Sequence, residues 1–436
     1  MRGQSNGRWV ETCYKRSMGR PWVSRGGMSR ASLAVFCMAL ASAACGAPPR
    51  RGLRATSTQL ATASAASDSG EVFSFPELIA SPHDVSRVPE DLQPFFAQCK
   101  LGDAALSRVA ERFARRQSEG TPPLDVSEIS FVLRAEGSPY VWPRAWTLEG
   151  GDLQSPANVA RMQSWLQSFG DGGERRCGLA LAEANERSVL AAVAVDALAD
   201  LEPLPIRIRA GTWVDFRAHM LVPANAARVI VAGPSGAPHA VPTELDGQRV
   251  RARFRADRPG PFVVQLLADV AGGPRPVLEA ALYADHKPPT SFLGEPAPGE
   301  PARPITGGDL DGALLAMVNG ARESEGSPAL IRVAALDAIA QKHAEAMQKA
   351  KRVAHDAGDG LPTARLEAAG LSVLAAGENV AHALDLARAH RALWASPAHR
   401  ENLLQPRFDK VGIGIVPDLD GSIWVCEVFA DFPDQR

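Results

Sequence analysis

Three short segments near the C-terminus carry the information that decides the fold. They are GENVA at residues 377–381, WASPAHRENLL at 394–404 and VGIG at 411–414. The first two contain Glu378 and His399, ionisable side chains that could share a proton or a metal ion, and His355 lies upstream in HDAG. We interpret everything before residue 300 as the part that delivers this block to a place or a partner.

The composition is that of a soluble globular protein. The chain has 436 residues, of which 45% are apolar and 22% are charged, and this length predicts about two to four domains. The formal net charge of -2 hides an asymmetry, because residues 1–44 contain seven basic residues and one acidic residue. Without them, 40 basic and 48 acidic residues remain, a net charge of -8. That balance argues against binding of nucleic acid or of an anionic membrane.

Residues 1–45 are typical of an export signal. Arg30 precedes an apolar run at 31–44 that is too short to span a bilayer, and small residues precede Cys45. This ending resembles a bacterial lipobox, in which Cys45 would receive a lipid, although Ser42 stands where leucine is usual. A plain cleavage site after small residues is the alternative. We expect a cell-envelope lipoprotein or a secreted or periplasmic protein, in contact with the membrane through a lipid anchor at most.

Four cysteines remain after such a cleavage, and two of them are candidates for a disulfide. In an oxidising compartment Cys99 and Cys177 are the natural pair, because Cys45 would be lipidated and Cys426 lies in a predicted strand. Two buried free thiols are the alternative. The sequence contains no CxxC motif, so a structural zinc site of the finger type is not supported.

The chain before residue 309 divides into four further parts. Residues 46–91 are rich in Ala, Ser, Pro and Arg and are predicted to be a disordered tether. Residues 92–202 repeat the order of helices and strands of the last domain, which indicates a degenerate copy or chance similarity between two small α+β units. Residues 203–286 alternate in short runs between turns, typical of an immunoglobulin-like β-sandwich, and 287–308 form a Pro-rich linker.

Residues 309–436 show helices before and after a loop and then a hairpin. Asp311 is a candidate cap for the first helix, and Ser396 before proline predicts the start of a short helix that contains His399. Trp424 and Cys426 lie on one face of the last predicted strand. This order favours an α-β-α layered fold, and the whole chain is expected to be an α+β multidomain protein.

These segments, with Asn319 and Arg322 in the first helix and His355 with its glycines, resemble the CAP superfamily, also called SCP. The superfamily includes cysteine-rich secretory proteins, antigen 5 and plant pathogenesis-related proteins. The resemblance is to the short bacterial branch and covers about residues 314–432, less than a third of the chain. It implies an α-β-α CAP sandwich at 309–436 and identifies 92–202 as a degenerate CAP-like unit.

The resemblance also implies a central cleft lined by two histidines and usually two glutamates. On this sequence the histidines correspond to His355 and His399 and the first glutamate to Glu378, whereas Ser396 takes the place of the second. Glu401 is not an obvious substitute. The predicted cleft residues are His355, Glu378, Asn379, His382, Trp394, Ser396, His399 and Asn402.

Three kinds of chemistry are open to these residues. His355 and His399 could hold zinc or another divalent metal with a bound water, as the histidines of some relatives do. Without metal, histidine and Glu378 could act as acid and base. Alternatively, Glu378 could be structural, accepting backbone amides of a long loop. No serine or cysteine nucleophile motif is present, and His343 and His390 are predicted to be packed residues.

We therefore expect an exported CAP protein without catalytic activity, whose cleft is presented to an extracellular or envelope ligand such as a lipid, a glycan or a protein. One alternative is a metal-dependent hydrolase that acts on an envelope substrate through His355, Glu378 and His399. The other is an architectural protein in which the CAP block is a rigid spacer.

Overall fold

The structure is a computed structural model. It describes residues 55–57, 72–81, 90–96, 99, 101–121, 126–150, 152–169, 172–271, 273–292, 294, 296–302, 305 and 308–433. The predicted export signal and Cys45 lie outside the described residues. Within them, none of the helices combines the length and the apolar character that a membrane crossing needs.

The N-terminal unit is a sheet with helices on its faces. Its strands are β1 (Ala55–Ser57), β2 (Leu78–Ile79), β3 (Leu101–Gly102), β4 (Arg144–Glu149), β5 (Glu174–Ala184) and β6 (Arg187–Ala197). Its helices are α1 (Gln93–Phe96), α2 (Ala104–Ser118), α3 (Val126–Ala135) and α4 (Pro156–Gln167). The sheet has the order β1-β4-β6-β5-β3. Asp103 caps α2 by accepting from the Leu106 amide at 2.9 Å, and a disulfide joins Cys99 to Cys177 in β5.

Part of the predicted tether is folded, which corrects the disordered assignment of residues 46–91. Phe73, Phe75 and Ile79 are buried in the core, and the rings of Phe73 and Phe75 contact the edge of Phe131 in α3. In addition, β1 pairs with β4. The reason is that Phe73 and Phe75 flank Ser74 in an extended segment, in which alternate side chains point to the same side and are buried together.

The central unit contains two packed antiparallel sheets. Its strands are β7 (Ala199–Leu201), β8 (Leu204–Pro205), β9 (Arg207–Ile208), β10 (Trp213–Met220), β11 (Ala226–Ala232), β12 (His239–Val241), β13 (Thr243–Asp246), β14 (Arg249–Arg255), β15 (Gly260–Val270) and β16 (Gly273–Ala284). One sheet has the order β13-β14-β10-β7 and the other β12-β11-β15-β16-β9, whose β16 and β9 are parallel. Since β7 pairs with β10, this unit begins before the predicted boundary at residue 203.

The C-terminal unit has three layers. Its helices are α5 (Leu310–Ser324), α6 (Ala334–Ala350), α7 (Pro362–Ala368), α8 (Leu386–Ala395) and α9 (Pro397–Leu404). Its strands are β17 (Ile331–Arg332), β18 (Ala375–Ala383), β19 (Lys410–Pro417) and β20 (Ile423–Asp431), in the order β17-β19-β20-β18. Alternate residues of β20 enter two cores, one shared with α6 and α7 and the other with α5, α8 and α9.

Two local expectations for this unit are corrected. The cap of α5 is Asp309, which accepts from the Gly312 amide at 2.9 Å, rather than Asp311. Part of the segment predicted to be a Pro-rich linker, 287–308, is bound to this unit, because Pro298 O accepts from His390 at 2.8 Å and Glu300 pairs with Arg391 at 2.7 Å.

The N-terminal and C-terminal sheets share one topology. In each, a two-residue strand lies parallel to the first strand of the final hairpin, giving β3-β5-β6-β4 and β17-β19-β20-β18. A Cβ atom at Gly178 would lie 2.0 Å from the backbone of α2, and one at Gly412 would lie 2.1 Å from that of α6. Only glycine allows these helices to lie so close to the strands. The same close approach therefore recurs in both units.

Candidate functional site

The candidate site lies along β18, the edge strand of the C-terminal sheet among the described residues. Glu378 points toward the layer of α6 and α7, and its side chain is 1% exposed. Its Oε1 lies 2.8 Å from His355 Nδ1, and its Oε2 lies 2.8 Å from Arg365 Nη2. The thiol of Cys426 lies 3.5 Å from Oε2. Both carboxylate oxygens are thus occupied by hydrogen-bond donors.

Electrostatics favour the ionised form of Glu378. Burial by itself would raise its pKa, but the hydrogen bond from His355 and the charges of His355, Arg365 and His343 outweigh it, so the pKa lies below its ordinary value. The pKa of the neighbouring Cys426 thiol is shifted in the opposite direction, because burial and the charge of Glu378 both raise it. Glu378 is therefore the fixed negative charge of this site.

His343 is a member of this network that sequence reasoning assigned to packing. It is fully buried on α6, with Nδ1 2.9 Å from Asp359 and Nε2 2.9 Å from Ala354 O. Its Nε2 is also 3.8 Å from Glu378 Oε1. Both ring nitrogens are thus held by oxygen atoms of the loop that follows α6. The available signal was a lone histidine on an apolar helix face followed by acidic residues in the next loop.

His399 lies near the start of α9 and is buried. Asn379 donates to its carbonyl oxygen at 3.2 Å, and its Nδ1 has no hydrogen-bond partner among the described residues. Burial, and after it the charge of His355, lower its pKa to about 3. His399 is therefore a neutral imidazole within electrostatic range of His355.

Asparagines and a second glutamate connect α9 to the sheet. Asn402 donates to Glu378 O at 3.2 Å and to Asn379 Oδ1 at 3.0 Å. Asn379 donates to Glu427 Oε2 at 3.0 Å. Sequence reasoning missed Glu427, which is 0% exposed and whose pKa burial raises to about 7. A glutamate at an apolar-facing position of β20 was the signal that could have found it.

Two predicted cleft residues are placed elsewhere. His382 stacks on Trp424 with ring centroids 4.0 Å apart and bonds Ser422 at 2.8 Å. It is four residues beyond Glu378 on β18, about 13 Å along an extended strand. Trp394 packs at the edge of a core and lies under Arg400, 4.8 Å from its ring centroid. These contacts assign both side chains to packing.

The central unit contacts the segment that contains His399. Ser396 precedes α9 as expected, but its hydroxyl makes no cap bond. Instead, buried Gln265 of β15 accepts from the Ala398 amide at 3.0 Å and donates to Ser396 Oγ at 3.2 Å. An ion pair joins Arg228 of β11 to Glu401. Gln265 therefore caps α9 from another unit.

The turn between β15 and β16 lies beside His355. A Cβ atom at Gly273 would be 3.7 Å from His355 Cβ and 3.2 Å from Leu361. The central unit thus covers one side of the candidate site. Among the described residues, no group of three or more His, Cys, Asp or Glu side chains could hold a metal ion.

The matching position of the N-terminal unit lacks this chemistry. Cross-strand pairing through the hairpin connects Gly412 to Glu378 in the C-terminal sheet and Gly178 to Ala145 in the N-terminal sheet. Ala145 therefore occupies the position that corresponds to Glu378. The edge of β4, which corresponds to β18, is paired with β1. An alanine replaces the carboxylate, and a strand closes the edge on which the site would lie.

Residues 315–428 match the sequence profile of the family described as CAP, cysteine-rich secretory protein family. No curated protein matches the chain.

Solved structures with similarity include an outer surface protein from Borrelia burgdorferi, at 20% identity and a TM-score of 0.28, covering 30% of this chain and 98% of that one. An extracellular protein containing a SCP domain from Bacillus anthracis has 14% identity and a TM-score of 0.26, and the match covers 54% of this chain and 86% of that one. A cysteine-rich secretory protein from Staphylococcus aureus has 12% identity and a TM-score of 0.26, covering 54% and 83%.

Proposed function

Residues 315–428 form a domain of the cysteine-rich secretory protein (CAP) family, and from this premise we propose that the chain is an exported bacterial envelope protein whose CAP domain binds a ligand without catalysing a reaction. Export through residues 1–45, with Cys45 as the lipid attachment site, belongs to the same proposal. So do an immunoglobulin-like character for the central unit and a degenerate CAP origin for the N-terminal one.

The observation that supports binding rather than catalysis is the enclosure of Glu378. Its two oxygens already accept from His355 and Arg365 at 2.8 Å each, and its side chain is 1% exposed. A general base must reach a substrate proton and must have a pKa high enough to take it, whereas the pKa of Glu378 lies below its ordinary value. This arrangement instead fixes the ring of His355, whose side chain is 19% exposed, and leaves its Nε2 for a ligand.

A second candidate function is metal binding by His355 and His399 in a hydrolase. Glu378 on His355 Nδ1 resembles the carboxylate that orients a metal-binding imidazole, and His399 is neutral with an Nδ1 that has no partner among the described residues. When bound, a divalent metal would supply a water of lowered pKa. Two nitrogen ligands alone favour weak binding, with water completing the coordination.

The test combines retention and metal analysis on the full chain. We expect it to be retained by purified peptidoglycan or phospholipid vesicles, and the His355→Ala/His399→Ala variant to lose most of that retention, whereas His382→Ala, a change of a packed histidine, keeps it. Equal retention of all three would favour the architectural alternative. Stoichiometric zinc together with turnover of either material, both lost in the double variant, would contradict a function in binding alone.

A further inference from the structure

Basic side chains collect where the three units meet, outside the His/Glu cleft. Arg144 of β4 and Arg175 of β5 both lie over the ring of Phe169, with guanidinium carbons 4.3 and 5.1 Å from its centroid. Arg175 also pairs with Asp196 of β6 at 3.3 Å. Two guanidinium groups therefore lie over one aromatic ring, and Asp196 is within electrostatic range of both.

The other two units add further cations. Arg275 of β16 is exposed. Its guanidinium makes no hydrogen bond with any described residue and lies within electrostatic range of Asp196, Arg144 and Arg352. Partial burial lowers its pKa, Asp196 opposes this effect, and Arg144 and Arg352 add to it. Arg352 itself is anchored to Asp356 O at 2.9 Å. Asp196 is thus within electrostatic range of three arginines, Arg144, Arg175 and Arg275.

An exposed indole lies next to these cations. Trp142 is 44% exposed, and its Nε1 donates to Pro276 O at 3.2 Å, one residue beyond Arg275. Its φ of 59° is in the left-handed region, which is strained for an aromatic residue. The backbone is therefore held in a costly conformation that keeps a flat apolar ring fixed and open to solvent.

This combination fits one class of ligand. Guanidinium groups bind carboxylate or phosphate oxygens in a planar, bidentate manner, and the exposed indole offers a flat surface for the apolar face of a sugar ring. We propose that the basic patch formed by Trp142, Arg144, Arg175, Arg275 and Arg352 binds an acidic glycan. A lipid headgroup fits less well, because Trp142 is the single apolar side chain among these five and an acyl chain would find little surface to cover.

The basic patch is adjacent to the proposed cleft, because Arg352 donates to the carbonyl oxygen of Asp356, the residue after His355. None of its five residues, however, belongs to the His355 and Glu378 network described above. Its binding should therefore survive loss of the cleft histidines. The two proposals can fail independently.

The experiment titrates the full chain with an oligogalacturonate of defined length by calorimetry, and with an uncharged maltooligosaccharide of the same length. We expect the acidic oligosaccharide alone to bind, and more weakly at high salt. Arg275→Gln and Trp142→Asn should each weaken binding about tenfold, because they remove an anion contact and the stacking surface. Asparagine tolerates the left-handed backbone of position 142, so both variants should melt like the wild type.

The matched control is Arg253→Gln on the far sheet, where Arg253 lies over the exposed ring of Trp213 and pairs with Asp215 at 3.2 Å. This change, and His355→Ala/His399→Ala, should leave binding unchanged. Absence of binding, equal binding of the uncharged oligosaccharide, or equal loss in either control would overturn the proposal. If phosphatidylglycerol vesicles bind in place of the oligosaccharide and Arg275→Gln weakens that binding, the basic patch binds lipid and not a glycan.

Discussion

Glu378 and Glu427 show how burial has opposite consequences for two carboxyl groups of one sheet. Glu378 is surrounded by His355, Arg365 and His343, and these charges lower its pKa despite burial. Glu427 has a single hydrogen-bond donor, Asn379, and its Oε1 has no partner among the described residues. Burial therefore dominates and raises its pKa to about 7. One glutamate is a fixed charge, and the other changes its charge at about pH 7.

This difference predicts how stability depends on pH. Folding raises the pKa of Glu427 from 4.5 to about 7, so the folded state keeps a proton that the unfolded state has lost. Its contribution to stability is complete below about pH 4.5 and is lost as the pH rises through about 7. Glu427→Gln cannot ionise, so it should match the wild type at about pH 4 and exceed its free energy of unfolding by about 3 kcal/mol at about pH 8.

Urea unfolding at about pH 4, 6 and 8 measures this difference. The control is Glu323→Gln, which changes an exposed glutamate of α5. A difference between Glu427→Gln and the wild type that stays the same at every pH would show that folding does not change the pKa of Glu427.

At the scale of elements, helix α9 depends on a residue from another unit. Its first turn leaves backbone amides without partners in the helix, and Gln265 of β15 accepts one of them, from Ala398, at 3.0 Å. The adjacent ion pair between Arg228 and Glu401 holds the same helix. The position of His399 in α9 thus depends on docking of the central unit.

Gln265→Ala should therefore destabilise the docked helix. We expect a loss of about 1–2 kcal/mol and faster hydrogen exchange of the amides in the first turn of α9, measured by mass spectrometry. The control Gln248→Ala changes an exposed residue at a turn of the same unit. Unchanged exchange in α9 would mean that Ser396 replaces the lost cap and that docking does not position the helix.

At the scale of the whole molecule, one covalent bond spans most of the N-terminal unit. The disulfide between Cys99 and Cys177 closes a loop with a sequence separation of 78 residues. In the chain-entropy account, closing a loop of that length lowers the conformational entropy of the unfolded state and raises its free energy by about 4 kcal/mol. The N-terminal unit also shares a hydrophobic core with the central one. Loss of the disulfide should therefore destabilise the central unit as well.

Reduction should therefore lower the midpoint of thermal unfolding. The Cys99→Ser/Cys177→Ser variant should melt at a lower temperature than the oxidised wild type and should not respond to a reductant, which provides the internal control. A wild type whose unfolding is the same with and without reductant would contradict a stabilising role of this bond.

The sequence alone determined the elements and the family. The α+β class and the CAP assignment, the latter confirmed over residues 315–428, followed from local signals such as Gly412 and the alternation in β20. Burial of every second residue and close packing of a helix both restrict which residue types occur at neighbouring positions, so a short stretch of sequence reveals them. Short range was also enough to mark His355, Glu378 and His399 as candidates.

Only the tertiary structure decided which of these side chains meet. It joined Glu378 to Arg365, gave His343 and Glu427 a place in the network, moved His382 to the far end of β18, and brought Gln265 to α9. These contacts join residues that are far apart in sequence. The residues around each of them indicate which helix or strand it belongs to, but not which distant residue it contacts. Partners of this kind are chosen by how the sheets and helices pack, which no local pattern records.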